Sequence, residues 1–280
     1  MRVARRILCM PSTPAFAMTI AGSEATGGAG AQADLKTFQQ LGVFGSIALT
    51  CIVSFDPKNN WSHRFVPVEP QVISDQIEAI TAAYGPDQLK TVKVGMLGTT
   101  PTIDRVAAAL TERSYQNVVL DPVLICKGQE PGAALDTDTA LTEKVLPLAT
   151  FVTPNHFESE QLSGMARIDG EQDLVEAAKR IYDKSGAAVL AKGGVRIPGP
   201  DAIDVFYDGT TLEVLRVPKV GEHVVAGAGC SLAAAVTAGL ALGDSPLEAA
   251  HRAKDFVTAG IKGRVESNAP FDVLWQGAAN

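Results

Sequence analysis

The sequence predicts an α/β protein with a mostly parallel sheet that is covered by helices on both faces. Short, continuously apolar segments recur along the chain, and longer segments with the periodicity of amphipathic helices separate them. Parallel strands need such crossover helices, and a strand that is apolar on both sides must be covered on both sides. We see no internal repeat and no long linker in the 280 residues, so a single domain is expected.

The first half of the chain alternates strands and helices. The apolar run 16–21 predicts the first strand, and a glycine-rich turn separates it from a helix over 29–41. A helix is predicted over 69–83, because Pro70 suits a first helical turn, where its missing N–H is not needed. The other elements predicted here are strands at 43–49, 91–96 and 117–121 and a helix over 101–113.

The second half continues the alternation and ends in helices. Asp208-Gly209 stands between two apolar segments and predicts a tight hairpin. Residues 1–14 are expected to form a disordered extension, so the domain spans 15–280. The remaining predicted elements are strands at 151–153, 187–191, 203–207 and 212–217 and helices over 139–146, 171–184, 230–242 and 246–265.

Composition and charge argue against several classes of function. The net charge is −7, so the chain lacks the excess of Lys and Arg that neutralises nucleic-acid phosphates. No apolar segment reaches 18 residues, and the apolar run after Arg5 and Arg6 is too short for a secretion signal, so we expect a cytoplasmic protein without membrane contact. The four cysteines are far apart, which indicates reduced thiols and leaves Cys126 and Cys230 available for chemistry.

Ligands of open parallel sheets bind beyond the carboxyl ends of the strands, where this chain places many glycines and polar residues. Gly227-Ala228-Gly229-Cys230 begins a helix of small residues, so its free N–H groups can bind an anion. The positive end of the same helix predicts a lowered pKa for Cys230, whose thiolate could accept a proton from an alcohol. The alternative is a helix cap with an inert, buried cysteine.

Two further polar segments follow strands. Asn155 and Glu158 fit a helix-capping box, and Glu158 could equally approach Mg²⁺ through water. Lys192, followed by Gly193 and Gly194, either offers a point charge to an anion that approaches the backbone closely or is a solvated surface lysine.

A glycine cluster and two carboxylates complete the candidate positions. Gly28-Ala29-Gly30 lacks the third glycine of a dinucleotide-binding fingerprint, and the alternative is a loop that closes over a substrate. Asp34 then lies one turn into the next helix. Asp121 ends an apolar strand, a position where a carboxylate needs a partner.

Taken together, these segments resemble the ribokinase-like superfamily and, within it, the branch of hydroxymethylpyrimidine and pyridoxal kinases. The resemblance runs over residues 18–262 and implies a three-layer α/β/α fold with a central, mostly parallel sheet. It implies ATP and Mg²⁺ as cofactors, in-line transfer of the γ-phosphoryl group to a hydroxymethyl oxygen, and a homodimer. The most similar stretches are residues 19–23, 27–38, 95–97, 119–123, 153–155, 192–194 and 227–230.

The resemblance implies a role for each candidate residue. Cys230 takes the place that other members give to an aspartate base, beside an anion hole formed by Gly227, Ala228 and Gly229. ATP and Mg²⁺ are expected to bind a second group of residues: Asn155, Lys192, Gly193, Gly194 and Gly229 for ATP, and Glu158 and Asp121 for the metal. The substrate is expected to bind a third group: Ser23, Asp34, Val53, His63, Met96 and Asp121.

The substrate implied by the resemblance is pyridoxal, with pyridoxine and pyridoxamine as related substrates. Cys51-Ile52-Val53 stands where pyrimidine kinases carry Ala-Gln-Asn, so the amide that reads the pyrimidine is missing. Cys126 falls in a segment that resembles the lid of pyridoxal kinases from Gram-positive bacteria, and its thiol could add reversibly to the pyridoxal aldehyde. The alternatives are a hydroxymethylpyrimidine or hydroxymethylpyrimidine-phosphate kinase of thiamin biosynthesis and a non-catalytic vitamin-binding protein.

Two positions depart from the pattern of this branch. Glu24 stands where the family often has Asp, and Val225-Ala226 stands where it often has Thr-His. The first change is expected to shift substrate contacts, and the second removes polar groups near the phosphates.

Overall fold

The computed structural model describes residues 13–124, 131–221 and 223–279, so the extension predicted at 1–14 lies almost wholly outside it. The strands are β1 (Ala15–Glu24), β2 (Val43–Asp56), β3 (Ser62–Pro67), β4 (Thr91–Val94), β5 (Asn117–Leu120), β6 (Phe151–Val152), β7 (Ala188–Gly194), β8 (Asp201–Tyr207) and β9 (Leu212–Pro218). The helices are α1 (Gly30–Gln40), α2 (Pro70–Ala83), α3 (Thr100–Glu112), α4 (Pro131–Lys144), α5 (His156–Ser163), α6 (Glu171–Ser185), α7 (Ala228–Leu242) and α8 (Pro246–Lys262). None of the helices in these ranges has both the length and the apolar character needed to cross a membrane.

The strands form one sheet with the order β3-β2-β1-β4-β5-β6-β7-β8-β9. The six strands from β2 to β7 in this order pair in parallel, whereas β3 at one edge and β8 and β9 at the other pair antiparallel. The predicted mostly parallel sheet is therefore confirmed. The turn at Asp208 is also confirmed, because its carboxylate accepts hydrogen bonds from the N–H groups of Thr210 and Thr211 between β8 and β9.

Consecutive residues of the central strands face two different cores. Val118 and Leu120 of β5 belong to a core covered by α2 to α6, whereas Val119 between them faces a second core with α7 and α8. Helix α1 packs against α7 on that second side. The strands are therefore apolar on both faces, and the predicted three-layer α/β/α arrangement is confirmed.

The largest difference from the prediction is the hairpin of β2 and β3. Strand β2 continues past residue 49 to Asp56, and the chain returns as β3, which was not predicted. Most of β3 is exposed or half-buried, so it lacks an apolar signal, and its turn contains no glycine. Instead, Asn60 and Trp61 both adopt a left-handed backbone, with φ of 48° and 56°. Helix α4 also begins earlier than predicted, at Pro131.

Candidate active site

The turn before α7 has the geometry of an anion hole. Gly227 is the N-cap of α7 and has a φ of 80°, which favours glycine. A Cβ at this position would also overlap the carbonyl oxygen of Gly28. The N–H groups of Gly229 and Cys230 lie in the first helical turn, where they have no intrahelical carbonyl to bind. These donors and the positive end of the helix dipole favour a phosphate here.

Cys230 lies at this turn, but its predicted acidity is wrong. The side chain is half-buried, and the Gly30 N–H donates a hydrogen bond to its sulfur. Burial raises the pKa of Cys230 to about 11, the charge of Lys93 opposes this increase, and the charges of Asp121 and Asp34 add to it by smaller amounts. Desolvation is the largest of these contributions. At neutral pH the residue is a thiol, and it must lose its proton before it can act as a base.

Glu24 shapes the loop that encloses the thiol. Its carboxylate accepts hydrogen bonds from the Thr26 N–H (2.7 Å), the Thr26 hydroxyl (2.7 Å), the Gly28 N–H (3.0 Å) and the Ala29 N–H (3.2 Å). The side chain therefore holds the backbone of its own loop, and the expected shift in substrate contacts stays a prediction. The second departure also has a structural role, because Val225 is buried and Ala226 forms backbone hydrogen bonds to a neighbouring segment.

Lys192 reaches the anion hole from β7. Its Nζ forms an ion pair with Asp121 at 3.2 Å and lies 3.5 Å from the position that a Cβ on Gly229 would occupy. Burial alone would lower the pKa of Lys192, but the charges of Asp121 and Glu158 outweigh it and raise the pKa. The alternative of a solvated surface lysine is wrong, and Asp121 has the partner that its position requires.

The two glycines after Lys192 differ in their surroundings. A Cβ on Gly193 would lie 2.6 Å from both the Ile197 side chain and the Ile203 carbonyl oxygen, so packing within the sheet requires this glycine. Gly194 has a φ of 53° and open space around its Cα. The predicted close approach of a ligand to the backbone is therefore possible at Gly194 but not at the packed face of Gly193.

Glu158 and Asn155 form the predicted capping box of α5. The Asn155 side chain accepts a hydrogen bond from the Glu158 N–H at 3.0 Å, and Glu158 accepts one from the Asn155 N–H at 2.8 Å. Burial raises the pKa of Glu158 to about 8 despite the opposing charge of Lys192, and Asp121 and Asp138 add to the increase. Glu158 therefore both caps its helix and belongs to the charged cluster around Lys192.

A second buried ion pair lies within the electrostatic reach of Cys230. Asp34 is fully buried, accepts a hydrogen bond from the Thr19 hydroxyl at 2.6 Å and pairs with Lys93 at 2.9 Å. Burial alone would lower the pKa of Lys93, but Asp34, Cys230 and Asp121 outweigh it and raise the pKa. Thr19 and Lys93 bind one oxygen of the Asp34 carboxylate, and the role expected of Asp34 in the ring pocket stays a prediction.

Sequence reasoning missed Lys93, although a signal for it was present. Lys93 lies in the run Thr91-Val92-Lys93-Val94, which was predicted as a buried parallel strand. A lysine in such a strand needs an anionic partner. The identity of that partner could not be read from the sequence, because Asp34 lies on a helix 59 residues away.

The other predicted pocket residues lie on β1, β2 and β3 or just after β4. Ser23 accepts a hydrogen bond from Gln32 at 2.7 Å, and Val53 is buried on β2. His63 lies on β3 with its ring 4.8 Å from that of Phe55. The Met96 carbonyl accepts a hydrogen bond from Thr50 at 2.6 Å. Cys126 lies outside the described residues, so its expected lid position stays a prediction.

A cavity of about 230 Å³ opens beside the anion hole. Val225, two residues before Gly227, lines it together with Arg264, Phe271 and Asp272. The described residues contain no cluster of three or more His, Cys, Asp or Glu side chains that could hold a metal ion alone.

Comparisons with known proteins identify the family of this chain. Residues 24–272 match the family model described as phosphomethylpyrimidine kinase. The chain is 46% identical over 246 residues to the pyridoxine kinase of Bacillus subtilis, which covers 88% of this chain and 90% of that protein. It is also similar to the ADP complex of Bacillus subtilis pyridoxal kinase, with a TM-score of 0.89, 42% identity, and coverage of 95% and 98%. The structure of the Staphylococcus aureus pyridoxal kinase in complex with AMP-PCP and pyridoxal is similar with a TM-score of 0.87 and 39% identity. The similarity covers 96% of this chain and 95% of that one.

These similarities extend over nearly the whole chain and confirm the predicted ribokinase-like fold. The matched segment begins at Glu24, the last residue of β1, and ends beyond α8, so it contains the anion hole, Lys192 and Cys230. The chain belongs to the phosphomethylpyrimidine kinase family.

Proposed function

We propose that this protein transfers the γ-phosphoryl group of ATP to the 5′-hydroxymethyl group of pyridoxal, and of the related pyridoxine and pyridoxamine. The observation that carries the proposal is the meeting of the α7 N-terminus, Lys192 and the Cys230 thiol at the carboxyl ends of the strands. Relatives solved with ADP, AMP-PCP and pyridoxal support the choice of nucleotide and acceptor.

In this proposal the chemistry divides between two parts of the site. The N–H groups of Gly229 and Cys230 and the ammonium of Lys192 stabilise the charge of the transferring phosphoryl group. In the fraction of molecules whose Cys230 thiol has released its proton to water, the thiolate takes the proton of the attacking hydroxyl. The bond from the γ-phosphorus to the ADP oxygen breaks as the bond to the hydroxymethyl oxygen forms.

Mg²⁺ is part of the proposal and fits the residues present. Asp121 and Glu158 are buried carboxylates that share the neighbourhood of Lys192, and two protein oxygens with phosphates and water suit this ion. When bound, the metal would neutralise phosphate charge. Within the chain, Asn155 holds Glu158 in place through the capping box.

The cavity beside Val225 is the proposed site of the nucleotide base. It is adjacent to the anion hole, so a nucleotide whose phosphates bind at α7 could place its base there. The use of ATP favours the cytoplasm as the location of the protein.

The main alternative is a hydroxymethylpyrimidine or phosphomethylpyrimidine kinase, which the family model favours. The experiment measures ATP turnover with pyridoxal, pyridoxine and hydroxymethylpyrimidine under identical conditions. Preference for the two vitamin B6 forms supports the proposal, whereas preference for the pyrimidine would assign the protein to the alternative. Turnover of none would favour a vitamin-binding protein. The Cys126→Ala variant tests the proposed aldehyde contact, because it should slow turnover of pyridoxal more than that of pyridoxine, which has no aldehyde.

A homodimer is also proposed, as the resemblance implies. Ile52 and Val66 are cross-strand neighbours on the β2–β3 hairpin and are 51% and 60% exposed, which favours a partner surface there. Light scattering after gel filtration should give twice the chain mass of 29.3 kDa. The Ile52→Lys and Val66→Glu variants should shift that mass to the monomer, whereas a monomeric wild-type protein would refute the dimer.

A further inference from the structure

The segment Phe271–Leu274, here called the C-terminal strap, connects parts of the active site that are far apart in the sequence. The Ala226 N–H donates to the Asp272 carbonyl at 2.8 Å, and the Leu274 N–H donates to the Ala226 carbonyl at 3.0 Å. The strap thus pairs with the residue immediately before Gly227, the cap of the anion hole. Its Val273 side chain packs directly over the backbone of Gly28.

The first residue of the strap faces the hairpin of β2 and β3. The ring of Phe271 lies 5.4 Å from that of Phe55 and 6.2 Å from that of Trp61, the latter in an edge-to-face arrangement. Phe55 in turn stacks edge-on against His63 at 4.8 Å. Phe271 therefore contacts the hairpin through its ring. The backbone of the residues that follow it is hydrogen-bonded to Ala226, which precedes the anion hole.

The hairpin turn needs external support. The Ser62 N–H donates to the Asn59 carbonyl at 2.9 Å, so Asn60 and Trp61 are the central residues of a tight turn. Both have a positive φ, which is unfavourable for a bulky residue such as Trp and persists only where the surroundings stabilise it. The contacts of the Trp61 ring with Phe55 and Phe271 supply that stabilisation.

We propose that Phe271 is a positioning residue that fixes the β2–β3 hairpin beside the vitamin ring and joins it to the phosphate-binding turn. It touches neither reacting group, and it acts through the hairpin, which carries Val53 and His63. The inference rests on the proposed function, because it assigns the hairpin to the vitamin and the α7 turn to the nucleotide.

The kinetic test asks whether Phe271 acts through the hairpin. Phe271→Ala removes the ring but keeps the backbone hydrogen bonds to Ala226. We expect KM for pyridoxal to rise roughly 3- to 10-fold, the size of one or two lost aromatic contacts. Because Phe271 also lines the cavity proposed for the nucleotide base, KM for ATP should rise as well and is no control. If Phe271 acts through the ring of Trp61, the Trp61→Ala variant should raise KM for pyridoxal similarly, and the double variant should raise it no further. Phe271→Tyr should restore the low KM. Trp275→Ala is the matched control, because this exposed aromatic lies just beyond the strap and should leave both KM values unchanged.

A spectroscopic test follows the same contact without catalysis. The chain has two tryptophans, Trp61 and Trp275, so Trp275→Phe leaves Trp61 as the single reporter. Adding Phe271→Ala to this background should shift Trp61 emission to longer wavelength and increase its quenching by acrylamide roughly 2-fold, because the ring loses its cover.

Two results would overturn the inference: increases in KM for pyridoxal that add up in the Phe271→Ala, Trp61→Ala double variant, or Trp61 emission and quenching that do not respond to Phe271→Ala. Absence of turnover by the unmutated protein is a different failure. It would refute the proposed function, and the fluorescence of Trp61 would still decide whether Phe271 holds the hairpin.

Discussion

The carbonyl oxygen of Gly28 lies directly against the Cα of Gly227, so the loop after β1 and the cap of α7 are in backbone contact. This contact leaves no room for a side chain at the anion hole. It also places the loop that follows β1 directly beside the start of α7, the helix whose N–H groups are proposed to bind the phosphate.

The first prediction follows from this contact. Gly227→Ala should reduce kcat at least about 100-fold, because the new Cβ forces apart the backbone that holds the anion-hole donors. Steady-state kinetics with pyridoxal and ATP would measure the loss. Gly42→Ala is the matched control: Gly42 has a similar φ of 76° but open space around it, so it should be destabilised but active. Equal activity of the two variants would contradict the importance of the contact.

The second prediction concerns the protonation of Cys230. Because burial raises the pKa of its thiol to about 11, the thiolate fraction increases with pH throughout the neutral range. If the thiolate is the base, kcat should rise about tenfold per pH unit from pH 7 to 9. Cys230→Asp provides a base that is ionised at neutral pH and should flatten this dependence, and Cys230→Ala should abolish turnover. A flat wild-type profile, or an active alanine variant, would reject the base assignment.

The third prediction tests Lys192 against another buried lysine. Lys192→Met should lower kcat by roughly 10²–10³-fold and weaken ATP binding, since it removes a charge beside the transferring phosphoryl group. Lys254→Met is the control, because Lys254 is also buried, pairs with Asp204 at 2.7 Å and lies on α8. It should lower stability with little effect on kcat of the folded protein. Similar kcat losses in both variants would show that Lys192 acts only through the fold.

The fourth prediction concerns the stability of the Asp34–Lys93 pair. Lys93→Met leaves the Asp34 carboxylate buried without its cation and should lower the free energy of unfolding by about 3–5 kcal/mol. The double variant Lys93→Met with Asp34→Asn removes both charges and keeps an acceptor for Thr19, so it should be more stable than the single variant. Urea unfolding would measure both. A double variant no more stable than Lys93→Met would contradict this account.

The fold was largely predictable because the strands carry their own signal. Val118 and Leu120 face one side of the sheet and Val119 faces the other, and all three are apolar. Such a strand must be covered on both sides, as in a parallel sheet between two helix layers. The β2–β3 hairpin gave no such signal. Its strands are partly exposed, and its turn places Trp61 at a φ that is normally reserved for glycine, so only packing against distant rings explains it.

The residues of the candidate site were easier to predict from the sequence than their charges and pKa values. Glycines at 227 and 229 and the lysine at 192 follow predicted strands, and the structure brings them together. The prediction of a lowered pKa for Cys230 was wrong. The helix dipole can be inferred from the local sequence, whereas burial of the thiol depends on the distant loop around Gly30. The ion pair of Asp34 with Lys93 was not predicted for the same reason, since the two residues are 59 positions apart in the sequence.

The strand order has a consequence for how activity appears during folding. The loop after β1 and the start of α7 come from opposite ends of the chain, and α7 packs on β1, β4 and β5, which are distant from it in the sequence. No fragment that lacks either end can assemble the phosphate-binding backbone. Recovery of turnover should therefore be among the last events of refolding, after helical structure has returned, because contacts so distant in sequence form slowly.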